Sequence, residues 1–328
     1  MTIACKAMVV AEHGPPSRMA WTDVELPSPA PHEIAIEQRA VGVNMIDTYV
    51  ISGAYTIDPL PLTPGVEGAG VVTAVGRDVE GFAPGDRVAY GGPPLGAYAQ
   101  IRTMPPAYVV RIPDWLSFDA AAASMIAGLT AQMMVKRVYP LGPDVDVLVH
   151  AAAGSSGSAL ARWASELGAR VIGTVGGAAK VAAAEAAGCQ HVIDYATEEF
   201  AYAVKALTDG KGVDVVYDGI GKDTFTGSFQ ALTPTGMFVS YGQASGPCPP
   251  IDLGDLPVTF SNFIARPSVF AFNATRPAFE DSMADVFDAL ERGVLEREPA
   301  HRYPLEDAAR ALTDLMARKT SGSIVLTV

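Results

Sequence analysis

The chain has 328 residues, which is long enough for two domains that each bury a core of their own. Hydrophobic residues make up 49% of it and charged residues 18%, a composition typical of globular proteins and not of disordered chains. The formal net charge of −13 argues against a broad binding surface for nucleic acid or for anionic membranes. We therefore expect no partner of either kind.

Cysteine usage and hydropathy indicate the compartment. Cys5, Cys189 and Cys248 are far apart and odd in number, which predicts reduced thiols and neither a disulfide framework nor a metal cluster. The segment Met1–Val10 lacks the long apolar region of a signal peptide, and no run is expected to reach the roughly 18–20 apolar residues that span a membrane. A cytoplasmic protein is therefore expected.

The first third of the chain consists of short strand patterns broken by proline, glycine and aspartate. The clearest strands are Ile34–Val43 and Gly70–Gly76, and Phe82–Tyr90 is typical of a turn that leads into another strand. These patterns predict an all-β unit, a distorted barrel with short helices in its connections. At Ala120–Val138 the pattern becomes helical and rich in small apolar residues, which predicts a helix that connects two domains.

A glycine-rich turn in the middle of the chain lies between a predicted strand, Val145–Val149, and a predicted helix that Gly168 closes. Its sequence, Ala-Ala-Ala-Gly-Ser-Ser-Gly, is a variant of the dinucleotide fingerprint. Gly154 lets the backbone approach a pyrophosphate, and Gly157 lets the helix pack closely on the strand. The helix N-terminus attracts the anion through its N–H groups and dipole. This context predicts a phosphate site, formed by Ala153, Gly154, Ser155, Ser156 and Gly157.

Strands and helices alternate after that turn. Predicted strands are Arg170–Val175, His191–Tyr195, Val213–Asp218, Gly236–Tyr241 and Ser268–Phe272, with helices at Ala178–Ala187 and Glu198–Thr208. Such alternation predicts right-handed βαβ units and a doubly wound parallel sheet. Two more helices, Phe279–Arg292 and Leu305–Arg318, precede a last strand, Ser323–Val328, which is expected to return to the first domain. The predicted fold class is α/β, a Rossmann sheet plus a distorted β-barrel.

Several motifs then carry a family resemblance. They are Gly42–Tyr49, Ser52–Tyr55, Pro64–Gly70, Gly85–Val88, His150–Gly154, Gly173–Gly176 with Lys180, Asp214–Asp218 and Arg266–Ser268. In this order they resemble medium-chain dehydrogenase/reductases, and among these the zinc-independent, NADPH-dependent quinone oxidoreductases related to zeta-crystallin. The resemblance implies a GroES-like catalytic domain (residues 1–126 and 272–328) around a Rossmann domain (residues 127–271). It also implies a homodimer.

Two positions depart from the zinc-bearing relatives, in which a cysteine and a histidine bind the catalytic metal. Asn44 stands where the cysteine would be, and Val66 stands where the histidine would be. Zinc takes nitrogen, sulfur or oxygen ligands, and valine can supply none. The cysteine cluster of a structural zinc lobe is also absent from the sequence. The sequence therefore predicts no metal.

The choice of nicotinamide cofactor depends on the end of the second Rossmann strand, where NAD-type sites place an acid on the ribose 2′-hydroxyl. The segment from Gly173 to Lys180 contains no acid. Lys180 is predicted to meet a 2′-phosphate instead, although a solvated lysine on a surface helix is the alternative. Tyr195 and Arg318 match family positions that hold this phosphate. With Thr174 and Gly242 they complete the candidate cofactor site, for which NADPH is predicted.

The predicted chemistry follows from the missing metal. Without a strong Lewis acid, the hydride acceptor has to spread negative charge itself, as a quinone or a conjugated enone does. The protein would orient both partners and donate hydrogen bonds to the developing oxyanion. Candidate donors are Asn44, Tyr49 and Tyr55, and Thr130 matches a family position that lines the same pocket. Tyr49 could equally be a core tyrosine, and Asn44 is expected to position the acceptor. Asp47 is expected to cap or orient Asn44 and Tyr49.

Three functions remain open from the sequence. The favoured one is an NADPH:quinone oxidoreductase, and the runner-up is an NADPH-dependent reductase of α,β-unsaturated aldehydes or ketones. A third is a cofactor-binding protein with a structural or RNA-associated role, against which the negative charge and the retained tyrosines argue. The five histidines (His13, His32, His150, His191 and His301) are expected to have structural or surface roles.

Overall fold

The structure, a computed structural model, describes residues 2–57, 59–252, 254 and 261–328. The chain divides into two compact units. Unit 1 consists of Met1–Leu129 and Asn273–Val328, and unit 2 consists of Thr130–Phe272. The sequence predicted the first boundary after residue 126, three residues before the observed one. It predicted the second after residue 271, one residue before the observed one.

Unit 1 contains two β-sheets. β1 (Thr2–Val9) and β2 (Ala20–Pro27) form an antiparallel pair. A seven-stranded sheet has the order β14-β15-β3-β4-β5-β7, with β6 paired to β3. Its strands are β3 (Ile34–Val43), β4 (Glu67–Val75), β5 (Arg87–Gly91), β6 (Ile101–Met104), β7 (Val109–Arg111), β14 (His301–Pro304) and β15 (Ile324–Thr327). The antiparallel pairing of β15 with β3 confirms that the end of the chain returns to the first domain.

The helices of unit 1 are α1 (Met45–Ser52), most of α2 (Phe118–Met133), α8 (Arg276–Glu291) and α9 (Ala308–Met316). α2 begins with a side-chain cap, since the Ala120 N–H donates to the Ser117 hydroxyl at 3.1 Å, and Asp119 lies in its first turn. The apolar core of this unit is formed by fully buried side chains of the large sheet and of α9, among them Ile36, Met104 and Leu312.

Among its described residues, unit 2 contains one parallel sheet of six strands. They are β8 (Asp146–Val149), β9 (Arg170–Val175), β10 (His191–Asp194), β11 (Val213–Asp218), β12 (Leu232–Ser240) and β13 (Phe263–Ala265). Their order in the sheet is β10-β9-β8-β11-β12-β13. The helices are α3 (Ser155–Glu166), α4 (Val181–Ala186), α5 (Phe200–Leu207), α6 (Phe225–Ala231) and α7 (Val269–Phe272). Numbered within the unit, the strand order is 3-2-1-4-5-6, that of the Rossmann fold. The predicted α/β class is confirmed.

Two expectations are wrong. The predicted sixth strand, Ser268–Phe272, is helical at α7, and the sixth strand is β13. Pro267 lacks the N–H that a ladder needs, and Ser268 accepts the Phe272 N–H at 3.1 Å, which starts a helical turn. One segment, Phe118–Val138, is also long and apolar enough to cross a membrane, with 21 residues and a mean hydropathy of 1.3. Of its 18-residue apolar window, 89% is buried inside the protein, as in the core helix of a folded protein.

Candidate active site

The candidate cofactor residues of unit 2 follow the carboxyl ends of its parallel strands. β8 and β11 are hydrogen-bonded neighbours, but the chain proceeds from β8 to one side of the sheet and from β11 to the other. This reversal is the switch point at which dinucleotides bind in Rossmann sheets. Except for Arg318, all predicted cofactor positions lie in β9 or in the segments after the strands of this sheet.

The predicted phosphate turn follows β8. Ala151 has a φ of 53°, a left-handed conformation that is unusual for a residue with a Cβ. A Cβ on Gly157 would lie 2.2 Å from the Ala151 carbonyl oxygen, so this position has room only for glycine. α3 begins after Gly154, and no side chain caps it. The N–H groups of its first turn, at Ser155 and Ser156, therefore remain suited to an anion.

The turn between β9 and α4 brings Lys180 and Tyr195 to the same edge of the sheet. A Cβ on Gly176 would lie 2.6 Å from the Tyr195 hydroxyl, so the ring lies directly against this turn. Asp194, which sequence reasoning missed, accepts the Gly177 N–H at 2.9 Å and fixes the shape of the turn. Arg318 belongs to unit 1, where it is exposed after α9 with a φ of 58°.

Gly242 follows β12, and its predicted role depends on a close backbone approach. A Cβ there would lie 2.7 Å from the Gly219 carbonyl oxygen, so the segments after β11 and β12 touch at two glycines. The Ala244 N–H donates to the same Gly219 oxygen at 3.2 Å. The two segments are thus in backbone contact at these glycines, and the Tyr241 ring lies against Gly219.

Thr174 is fully buried, and its hydroxyl lies 2.8 Å from His150 Nδ1. His150 Nε2 lies 3.0 Å from the Ser228 hydroxyl, which donates to Asp218 and to the Thr224 carbonyl oxygen. Because the single proton of Ser228 is used there, His150 Nε2–H donates to Ser228 and Nδ1 accepts from Thr174. Burial lowers the pKa of His150, which keeps the ring neutral. The Thr174 side chain is thus committed to this network, and its carbonyl oxygen accepts the Ala152 N–H at 3.0 Å.

The candidate acceptor residues of unit 1 centre on Asn44, the N-cap of α1. The Asn44 side-chain amide donates to Glu67 Oε1 at 2.5 Å, and Glu67 Oε2 accepts the Ile126 N–H of α2 at 2.7 Å. Asp47 Oδ2 accepts the Asn44 backbone N–H at 2.8 Å and the Tyr98 hydroxyl at 2.9 Å. Asp47 therefore caps the Asn44 backbone, as expected, and its expected role at Tyr49 stays a prediction.

Both carboxyl groups beneath Asn44 are removed from water, since Asp47 is 0% and Glu67 3% exposed. Burial raises the pKa of Asp47 to about 7, although hydrogen bonds from Asn44 and Tyr98 oppose the shift. Burial also raises the pKa of Glu67 to about 8, against hydrogen bonds from Ile126 and Asn44, and the nearby Asp47 charge adds to the increase. Both groups therefore titrate near neutral pH.

Tyr49 and Tyr55 form an edge-to-face pair, with ring centroids 5.2 Å apart and an interplanar angle of 61°. Gly53, with a φ of 79°, ends α1 and turns the chain back, and the Tyr55 N–H then donates to the Tyr49 carbonyl oxygen at 2.9 Å. Both side chains are half-buried. Thr130 lies one turn beyond Ile126 in α2 and is 8% exposed.

Sequence reasoning missed Glu67 and Tyr98 as partners of this group. The signal for Glu67 was available, because it is a single carboxylate in the otherwise small and apolar run Pro64–Val72. Val66, at the position of the zinc-binding histidine in relatives, is 3% exposed and apolar. Among the described residues, no group of three or more histidine, cysteine, aspartate or glutamate side chains could hold a metal ion.

Comparisons with known proteins agree with this architecture. The family model of the alcohol dehydrogenase GroES-like domain matches residues 30–114, and the zinc-binding dehydrogenase model matches residues 187–326, a range that excludes Asn44 and Val66. With the Rossmann strand order, these matches define a medium-chain dehydrogenase/reductase.

Individual relatives narrow the class. Quinone oxidoreductase of Pseudomonas aeruginosa is 41% identical and covers 98% of this chain and 99% of its own. A 2-haloacrylate reductase from Burkholderia is also 41% identical, over 98% of both chains. The crystal structure of Escherichia coli quinone oxidoreductase in complex with NADPH superposes with a TM-score of 0.96 at 38% identity, over 98% of this chain and all of that one. The chain belongs to the quinone oxidoreductase family.

Proposed function

We propose that this protein is an NADPH-dependent oxidoreductase that reduces quinones without a metal ion. The observation that carries the proposal is the combination of a Rossmann switch point, an uncapped helix α3 and a turn before Lys180 that contains no acid. Full-length relatives named quinone oxidoreductase, one of them solved with NADPH, support it.

The residues of unit 2 fit NADPH. The space at Gly157 would be filled by any Cβ, and the first turn of α3 carries no side-chain cap. In the proposal Ala153, Gly154, Ser155 and Ser156 hold the pyrophosphate through their backbone, while Thr174 and Gly242 shape the neighbouring segments. Lys180 and Tyr195 hold the 2′-phosphate, and Arg318 of unit 1 stays a candidate for it from the sequence. When bound, NADPH supplies the hydride.

The residues of unit 1 would serve the acceptor. Asn44 keeps one amide N–H beyond the one given to Glu67, because a primary amide has two. This N–H and the hydroxyls of Tyr49 and Tyr55 are the proposed donors to the oxyanion that forms as the quinone is reduced. Thr130, the first residue of unit 2, stays a candidate for the acceptor from the sequence. Neither Asn44 nor Val66 supplies the thiolate or imidazole of a zinc site, which is why the proposal contains no metal.

The test is steady-state oxidation of NADPH with a panel of benzoquinones and naphthoquinones and, in parallel, a panel of enones and 2-haloacrylates. We expect turnover with quinones and a higher kcat/KM for NADPH than for NADH. Tight NADPH binding without turnover of any acceptor would contradict the proposal and favour a cofactor-binding role.

A reductase of α,β-unsaturated compounds is the second candidate. It is favoured by the 2-haloacrylate reductase relative, which is as similar to this chain as the quinone oxidoreductase of Pseudomonas aeruginosa. Both reactions need the same hydride donor and the same oxyanion donors. A kcat/KM for an enone or a 2-haloacrylate that exceeds every quinone value would select this candidate.

We also propose that the protein is a cytoplasmic homodimer. β13 is the last strand of its sheet among the described residues, and it leaves Phe263 60% and Ile264 45% exposed. An apolar edge strand of this kind is suited to pairing with a second copy. The free cysteines Cys5, Cys189 and Cys248 fit a reducing compartment. Sedimentation equilibrium is expected to give the mass of two chains, and a replacement of Phe263 by Lys is expected to give that of one.

A further inference from the structure

Glu67 makes two hydrogen bonds that together connect α1 to α2 within unit 1. One carboxyl oxygen accepts the Asn44 side-chain N–H at 2.5 Å, and the other accepts the Ile126 backbone N–H at 2.7 Å. Because the Ile126 N–H belongs to a helix backbone, it cannot turn away. It therefore fixes one carboxyl oxygen of Glu67, and the other carboxyl oxygen accepts the side-chain amide of Asn44.

The surrounding sequence leaves space for this carboxylate. A Cβ on Gly42 would lie 2.3 Å from Glu67 Oε1 and 2.4 Å from the Ala122 carbonyl oxygen, so only glycine fits beside it. A carboxyl group that is 3% exposed is costly to bury unless its oxygens are hydrogen bonded. Three titratable groups interact electrostatically with Glu67. The charge of Asp47 in α1 acts on Glu67, and the charge of Glu67 acts on Tyr90 of β5 and on Tyr98.

We propose that Glu67 is a positioning residue for the reaction: it sets the direction in which the Asn44 amide presents its remaining N–H to the acceptor. The proposal rests on the proposed function, in which Asn44 contacts that acceptor. Glu67 itself touches Asn44 and the α2 backbone and is assigned no contact with the acceptor.

Glutamine at position 67 separates orientation from size. A glutamine has one acceptor oxygen, which has to face the fixed Ile126 N–H, since two donors facing each other in a buried site are costly. Its NH2 group then faces Asn44, whose amide has to reverse and accept with its oxygen. Glu67→Gln thus keeps the volume and both hydrogen-bonded links but turns the Asn44 amide around.

The experiment is a double-mutant cycle of Glu67→Gln and Asn44→Ala, measured as kcat/KM for a quinone at pH 8.5, above the pKa of about 8 that burial gives Glu67. We expect Asn44→Ala to lower kcat/KM about 10- to 100-fold, the range for a hydrogen bond to a developing charge. When Asn44 is present, Glu67→Gln is expected to lower kcat/KM by a similar factor. When Asn44 is already replaced by Ala, Glu67→Gln is expected to lower kcat/KM less than about twofold. The NADPH dissociation constant should stay unchanged. Glu37→Gln, at an exposed carboxylate paired with Arg39, is the matched control and should match the wild type.

The outcomes separate this inference from the function on which it rests. An equal loss from Glu67→Gln in both backgrounds, no loss in the wild type, or a parallel loss of NADPH affinity would each overturn the positioning role. If Asn44→Ala has no effect, Asn44 does not contact the acceptor and the positioning role of Glu67 falls with it. If the wild type reduces no acceptor, the proposed function itself fails. If Glu67→Gln does not fold, the NMR signals of the Asn44 side-chain amide in the wild type are measured instead. They are assigned by their absence from the spectrum of Asn44→Ala. One amide proton should be shifted downfield and protected from exchange, and an ordinary, freely exchanging pair would overturn the inference.

Discussion

The stability of unit 1 should depend on pH in a way that Glu67→Gln removes. The pKa of Glu67 rises from its ordinary 4.5 to about 8 in the folded protein, mainly because the carboxyl group is buried. Between these values the folded chain holds a proton that the unfolded chain has released. The free energy of unfolding therefore falls as pH rises through this window, by up to about 1.4 kcal/mol per pH unit. From pH 5 to pH 8 this amounts to roughly 4 kcal/mol.

Glutamine does not titrate, so the variant lacks this slope. A hydrogen bond weakened by Glu67→Gln shifts the whole curve of unfolding free energy against pH. The lost titration instead changes the slope of that curve relative to the wild type. Urea unfolding at pH 5, 6, 7 and 8 is the assay. The variant should gain stability relative to the wild type as pH rises, and Glu37→Gln should give a curve parallel to the wild type. A Glu67→Gln curve that also runs parallel would refute the assignment of a raised pKa to this carboxyl group.

Four further outcomes are expected. Gly157→Ala should weaken NADPH and NADH alike, since the added Cβ meets backbone 2.2 Å away, while Gly142→Ala, at a position with open space, should bind both as the wild type does. Lys180→Ala should raise the NADPH dissociation constant about 10- to 100-fold and barely change that of NADH, with a smaller effect at high salt. Tyr49→Phe and Tyr55→Phe should lower kcat/KM for a quinone and leave NADPH affinity unchanged. The purified protein should contain no stoichiometric zinc by elemental analysis, and chelators should not alter its activity.

Each of these outcomes has a clear contradiction. Unchanged cofactor binding in Gly157→Ala would mean that the turn after β8 does not hold the pyrophosphate. Equal losses of NADPH and NADH in Lys180→Ala, measured by fluorescence titration, would place that lysine away from the 2′-phosphate. Wild-type kinetics in both tyrosine variants would leave their hydroxyls without a part in catalysis. About one zinc per chain, lost together with activity, would refute the metal-free reaction.

The fold was predictable from the sequence wherever a strand is buried on both faces. Arg170–Val175 and Val213–Asp218 are continuous, mostly apolar runs, and the structure has both strands at the predicted bounds. The sixth strand was misplaced because only three residues, Phe263–Ala265, form it, and an apolar run after Pro267 was a stronger signal. A helix was predicted at Ala120–Val138, but the hydropathy of the segment Phe118–Val138 was underestimated.

The candidate site was predictable only in part, because its hydrogen bonds join residues far apart in sequence. The Asp47 partner Tyr98 is 51 residues away, and the His150 partner Ser228 is 78 residues away. No local pattern reveals such pairs. Asn44 could be singled out because it stands where relatives have a cysteine, whereas the carboxylate that orients it lies 23 residues away in β4 and also bonds Ile126 of α2.

Hydride transfer from NADPH to a quinone can be followed with NADPH that carries two deuterium atoms at C4. Single-turnover mixing of the NADPH-bound protein with a naphthoquinone would follow NADPH absorbance against time. We expect NADPH to be oxidised in step with quinone reduction and deuterium to slow the transfer, because the bond to the migrating hydrogen breaks in that step. Persistence of NADPH with every quinone tested, while its binding is unimpaired, would show that the protein does not transfer hydride to quinones.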